Sequence, residues 1–183
     1  MRNVFFLLAI LFAVACSSPS SSNTYDDEDI VAVVLGKEIT VRDIRFLYRV
    51  TDEELPTFVK ERFVKEEVVI QEAKRLGIDV SKEVEEGVTF FDKLPPKGEN
   101  SPSIRKFVDD QAESLGMSPE EYYDIYMVKS TERSTYVNKY IETVLVDEWP
   151  KDEEKIENVT ERIEEHFERL LVKYEDEIEI YIQ

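Results

Sequence analysis

The sequence predicts a mostly helical domain with a small β element that pairs its first and last strands. Three observations predict it. Apolar residues recur at helical spacing over several long segments. The run Ile30-Val31-Ala32-Val33-Val34-Leu35 is rich in β-branched residues and closes on Gly36-Lys37, which reads as a strand and a turn. The end of the chain, Glu177-Ile178-Glu179-Ile180-Tyr181-Ile182, alternates strictly and so forms a strand with one buried face. A lone strand is unstable. Residues 177–182 are therefore expected to pair with 30–35, with Ile178, Ile180 and Ile182 buried against the helices.

The N-terminus comes first in order. Met1-Arg2-Asn3 carries one positive charge, and Val4 to Val14 is an unbroken apolar run. A bilayer-spanning helix needs roughly 20 residues, so this shorter run reads as the core of an export signal. It ends at Ala13-Val14-Ala15-Cys16, small residues before a cysteine. That resembles a lipobox, with Ala13 where Leu is commonest. The expected organisation is a lipoprotein signal peptide over 1–15, a flexible lipid-anchored tether over 16–29 and a folded domain over 30–183. Cys16 is expected to carry the lipid. It is the only cysteine, which excludes intramolecular disulfides and thiolate metal clusters. A diacylglyceryl group brings two chains, enough for stable anchoring. The expected location is extracytoplasmic, on the cell membrane. Ser17 is not an Asp-type retention signal, which leaves the outer membrane open in a cell that has one.

The helices follow from punctuation and period. Thr40 caps a helix from Val41 to about Tyr48. Thr51-Asp52-Glu53-Glu54 is a capping box that opens a helix over 52–76, with Leu55, Phe58, Val59, Phe63, Ile70, Ala73 and Leu76 at helical spacing. Gly77 ends it. Ser81 is expected to cap a polar helix reaching about Phe91. Leu94 to Ser103, with three prolines and a glycine, is a loop. A helix runs from about Ile104 to Leu115 and stops at Gly116. Ser118-Pro119-Glu120-Glu121 is a second capping box, with proline at the first helical position, and opens a helix over 119–147. Pro150 breaks it, and an amphipathic helix follows over 153–172.

Composition bounds function. The chain has 41 acidic and 23 basic residues, a net charge of −18. Of these, residues 1–15 hold only Arg2, so the chain from Cys16 has 22 basic residues against 41 acidic and a net of −19. That charge argues against nucleic acid and against an electrostatic grip on anionic lipid. Nine Tyr, ten Phe and one Trp are too many for a disordered acidic tail. Nucleophilic catalysis wants a base, usually histidine, and the chain has only His166, on a charged helix and expected to be solvated. The acidic pairs Asp26-Asp27, Glu85-Glu86 and Asp109-Asp110 lack the alternating ligands and central glycine of a calcium loop. No catalytic residue, metal or cofactor is expected.

The candidate binding residues are tyrosines. Tyr122, Tyr126, Tyr136 and Tyr140 share one face of the 119–147 helix. Two readings stand: core packing, or an aromatic cleft for extended polypeptide. Tyrosine suits a cleft because it offers broad contact at low entropic cost, and Met117 and Met127 would help it adapt.

Three segments resemble one family. Val31-Ala32-Val33-Val34-Leu35-Gly36-Lys37-Glu38-Ile39-Thr40 is similar to the opening strand, turn and cap of the SurA and PrsA extracytoplasmic chaperones. Phe63 to Ser81, with Ala73-Lys74-Arg75-Leu76-Gly77-Ile78-Asp79-Val80-Ser81, resembles their next helix and turn. Leu115-Gly116-Met117-Ser118-Pro119-Glu120-Glu121-Tyr122 resembles the turn that begins their long helix. The match spans roughly 30–145. It departs from the family at Leu35, where asparagine is usual. It also departs at Trp149-Pro150, where many members insert a parvulin prolyl isomerase. The resemblance implies a helical chaperone core that holds unfolded or newly exported proteins without isomerase activity. The alternative is a scaffold lipoprotein that binds one folded partner.

Overall fold

The computed structural model describes residues 24–92, 102–145 and 156–183. The expected signal peptide and Cys16, most of the 94–103 loop and the break at Pro150 lie outside the described residues. The fold is mostly helical, with a three-stranded antiparallel sheet that joins the two ends of the domain.

Strands β1 (Ile30–Val34) and β2 (Lys37–Thr40) form a hairpin, and β3 (Ile178–Ile180) pairs with β1 on the other side. The two turn residues, Leu35 (φ 49°) and Gly36 (φ 80°), both have positive φ, the requirement of the tight hairpin turn that matches strand twist. Glycine does this freely. Leucine there costs roughly 1–2 kcal/mol, and Leu35 offsets it by packing against the core. β2 was not foreseen as a strand; its pairing with β1 follows from this turn.

The predicted pairing of the two ends is present. Ala32 faces Ile180 and Val34 faces Ile178. Leu35 N–H donates to Glu177 O at 3.0 Å and Tyr181 N–H to Val31 O at 2.9 Å. The expected buried face needs correction. Ile182 is 4 % exposed, but Ile178 is half-buried and Ile180 is 38 % exposed. β3 is an edge strand, and the helix under the sheet packs against β1.

The expected tether also needs correction over its described part. Residues 24–29 are folded onto the domain. Arg45 donates from Nη1 to Asp27 (2.7 Å) and from Nη2 to Asp52 (2.6 Å). Val41 N–H donates to Asp29 O, and Tyr25 packs on the core. A half-buried guanidinium between two carboxylates holds the segment down. The domain therefore begins at Thr24 at the latest.

Helix α1 (Val41–Leu47) starts at the Thr40–Asp43 capping box. The Thr51–Glu54 box also forms, and behind it α2 (Leu55–Phe58), a π-helical turn (Val59–Phe63) and α3 (Val64–Arg75) run as one rod. The π turn was not foreseen. Gly77 (φ 74°) ends α3: Ile78 N–H donates to Ala73 O and Gly77 N–H to Lys74 O, the Schellman pattern. Leu76, expected on the apolar face, is 51 % exposed.

Helix α4 (Ser81–Asp92) is preceded not by a Ser81 cap but by Asp79, whose carboxylate accepts from Ser81 N–H and Oγ. It lies close on α6 (Pro119–Val144): a Cβ on Gly87 would sit 2.9 Å from Thr131 Cγ2. Helix α5 (Pro102–Leu115) starts two residues earlier than expected, with proline in the first turn. Helix α7 (Ile156–Lys173) presents Ile163, Phe167 and Leu170 to the core. The core gathers the sheet, α1, the α2–α3 rod, α6 and α7. A second cluster of Phe46, Ala112 and Tyr122 ties α1, α5 and α6 together.

Candidate binding groove

Helix α6 organises the site, because its two flanks line different cavities. Successive residues turn by about 100°. On that wheel Tyr122 and Tyr140 coincide, with Tyr126 about 40° to one side and Tyr136 about 40° to the other. The four do share a face, as expected, but its centre is the core. Tyr122 and Tyr140 are 0 % and 1 % exposed. Tyr122 OH donates to Phe46 O at 3.0 Å, and Tyr140 OH lies 2.9 Å from His166 Nε2. Burial pushes both phenols up to about 12. These two offer no surface to a client, which corrects their place among the candidate contacts. It corrects His166 as well, since its ring is held against Tyr140 rather than solvated.

Tyr126 and Tyr136 are half-buried and stand on opposite flanks. Tyr126 stacks on Tyr122, with centroids 5.5 Å apart, and lines a groove of about 640 Å³. Tyr136 lies under Lys74 Nζ at 4.9 Å and borders a smaller hollow of about 160 Å³. The larger groove runs between α1, the π turn and start of α3, α6 and α7. Leu47, Tyr126, Val137 and Phe167 supply its apolar walls. The π turn contributes Glu61 and Arg62, so an irregularity in the rod becomes part of the wall. Lys65 closes one side by bridging Glu164 (3.0 Å) and Glu168 (2.6 Å) on α7.

A buried ion network lies beneath. Glu67 is fully buried and accepts from Lys37 Nζ (2.7 Å), Gln71 Nε2 (2.7 Å) and Arg133 Nη1 (2.7 Å). Arg133 Nε also donates to Glu66 (2.9 Å), which accepts from Tyr48 OH. Burial alone would raise the Glu67 carboxyl, but Lys37, Arg133 and Gln71 outweigh it and hold the group below its usual range. For Arg133 burial opposes the charge, and Glu66 and Glu67 more than offset it. The guanidinium sits 4.5 Å over the Phe63 ring, and its Nη2 is buried without a hydrogen-bond partner.

The sequence reading missed Arg133, Glu66 and Glu67. One signal was present. Glu67 falls four residues after Phe63 and three before Ile70, inside the apolar stripe, where a carboxylate must find partners.

A second carboxylate locks α7. Glu72, 4 % exposed, accepts from Arg75, Tyr174 OH (2.6 Å) and Lys173 (3.0 Å). The Arg75 hydrogen bonds, then those of Tyr174 and Lys173, hold it at about 2 against 4.5 when unfolded. A depressed carboxyl stabilises the fold above its unfolded value and loses that effect as pH falls. After discounting for screening around exposed Arg75, Glu72 should contribute roughly 2 kcal/mol at pH 7. Urea melts from pH 7 to 2 should show this part vanishing between about pH 5 and 2. Glu72→Gln should lower stability at pH 7 and remove it from that window; an unchanged pH profile would refute the assignment.

Among the described residues no group of three or more His, Cys, Asp or Glu is placed to hold a metal ion. No described helix is long and apolar enough to cross a membrane. Comparison of the chain with models of known families, with curated proteins and with solved structures finds no match.

Proposed function

We propose that the protein is a lipid-anchored extracytoplasmic holdase, binding unfolded or newly exported polypeptides without catalysing prolyl isomerisation. The observation that carries this reading is the groove along α6, open, of about 640 Å³ and walled by Leu47, Tyr126, Val137 and Phe167. A concave, partly apolar surface on an otherwise acidic domain is where binding is expected. The resemblance of residues 30–145 to the SurA and PrsA core supports the same reading, and the apolar run before Cys16 supports export and anchoring.

The protein should suppress aggregation of a denatured client at modest molar excess and leave a proline-limited refolding rate unchanged. Tyr126→Ala should weaken suppression at a stability cost of about 1–2 kcal/mol, because it also loses its stacking on Tyr122 and its edge contact with Phe107. Tyr122→Ala and Tyr140→Ala should instead destabilise the fold by about 3–5 kcal/mol, as buried aromatics do. Cys16→Ser should release the protein from membranes. The holdase reading fails if no client is protected, and capture of a single tight folded partner would then favour a scaffold.

A further inference from the structure

Strand β3 leaves one edge of the sheet open. Leu35 N–H donates to Glu177 O and Tyr181 N–H to Val31 O, so Glu177, Glu179 and Tyr181 turn their backbone groups towards β1. Antiparallel geometry then turns those of Ile178 and Ile180 the other way. The Ile178 N–H folds back to Glu175 O. The Ile178 carbonyl and the N–H and carbonyl of Ile180 point outward, and among the described residues no strand lies beyond them. Edges are commonly blunted by lysine, proline or a bulge, and β3 has none of these. The opposite edge, β2, carries Lys37 and runs straight into the Thr40–Asp43 box, where Asp43 takes the Thr40 N–H.

The two faces of this edge differ. Ile178 and Ile180 stand opposite Val34 and Ala32, both fully buried, so they carry a row of core residues out towards solvent, and Ile180 is 38 % exposed. On the other face Glu38, Val33 and Glu179 form one row. Glu175, Asp176, Glu177 and Glu179 are exposed and, among the described residues, make no ion pair. Charge decides what fits. A second copy of β3 would bring the same glutamates on a chain of net charge −18. A strand of alternating apolar and basic residues sets one kind beside the isoleucines and the other beside the glutamates.

We propose that the outer edge of β3 adds a strand from an extended polypeptide whose apolar residues alternate with lysine or arginine. Backbone bonds hold it, and its register is fixed because a slip of one residue sets the basic residues against Ile178 and Ile180. The edge shares no residue with the α6 groove and does not rest on the holdase reading.

The test uses the purified full chain and a short, dye-labelled peptide of alternating valine and lysine. Read by anisotropy, it should bind about ten-fold more tightly than a valine–glutamate peptide, with the difference shrinking as salt rises. Only one alternate set of peptide nitrogens faces the edge. Methylating either all valine or all lysine nitrogens should therefore weaken binding about ten-fold for one set and leave the other unchanged. Ile180→Pro removes an N–H that faces away from β1, a position where an edge strand tolerates proline. It should melt near Ile180→Ala yet bind about ten-fold more weakly than that variant. If Ile180→Pro does not fold, the methylated peptides decide alone on the native protein. No binding of the valine–lysine peptide overturns the proposal, as do equal effects of the two methylations or a folded Ile180→Pro that binds like Ile180→Ala. A dimer in sedimentation that Ile180→Pro abolishes would give the edge to a second copy and also overturns it. Each of these failures leaves the groove reading untouched.

Discussion

Replacing Arg133 by methionine should destabilise the domain by about 3–5 kcal/mol, the range found when one partner of a buried ion pair is removed. The variant leaves Glu67, with no exposed surface, to Lys37 and Gln71 alone. It also takes from Glu66, the preceding residue on α3, its bond to Arg133 Nε. Methionine roughly keeps the volume over Phe63, so lost packing is the smaller part. Against a typical stability of about 5–15 kcal/mol this is a large fraction. Urea denaturation measures it. Arg133→Met combined with Glu67→Met should recover much of the loss, because the fully buried charge is then gone and the groups left unpaired, Glu66 and Lys37, keep contact with water. If the double variant loses the sum of the two singles, the ion pair is not the cause.

Removing residues 178–183 should cost a comparable amount, with an uneven origin. Ile182 is buried and worth on the order of 1.5–3 kcal/mol. The bond from Tyr181 N–H to Val31 O adds about 1 kcal/mol, and its loss exposes the other edge of β1. The edge position of β3 separates the isoleucines. Ile182→Ala should cost about 2–5 kcal/mol, as buried aliphatics do. Ile180→Ala, at an exposed site, should cost well under half of that. Thermal melts of the two variants decide it. Equal losses would contradict the edge assignment, and a truncated chain that melts at the native temperature would sink the pairing altogether.

Helix boundaries were legible because their causes are local. Thr40 and Ser118 cap helices within one turn, and Gly77 and Gly116 end them through their own positive φ; the Thr51–Glu54 box forms, but α2 begins only at Leu55, three residues after the expected start. The strand pairing was legible for another reason: a strictly alternating segment needs a partner, and only 30–35 was available. The candidate site was legible in part. The sequence placed four tyrosines on one face of α6, and they are there. It could not say whether that face meets core or solvent, because this depends on what packs on each flank. Tyr122 meets Phe46, 76 residues away in sequence, and Tyr140 meets His166, 26 away.

The sequence by itself determined the class of fold, the order of its main helices and the joining of its two ends. Each depends on residue type at short spacing or on an unpaired strand with one possible partner. Only the tertiary structure decided which charges are buried. Glu67 and Arg133 are 66 residues apart and mean little singly; they become an ion pair when α3 packs on α6. It also decided the groove, a property of the gap between helices, and the π turn that shapes its wall. Finally, it decided that residues 24–29 pack on the domain, since this acidic stretch looks like solvated chain until Arg45 is beside it. Local chemistry sets elements, and long-range packing sets which polar groups must find one another away from water.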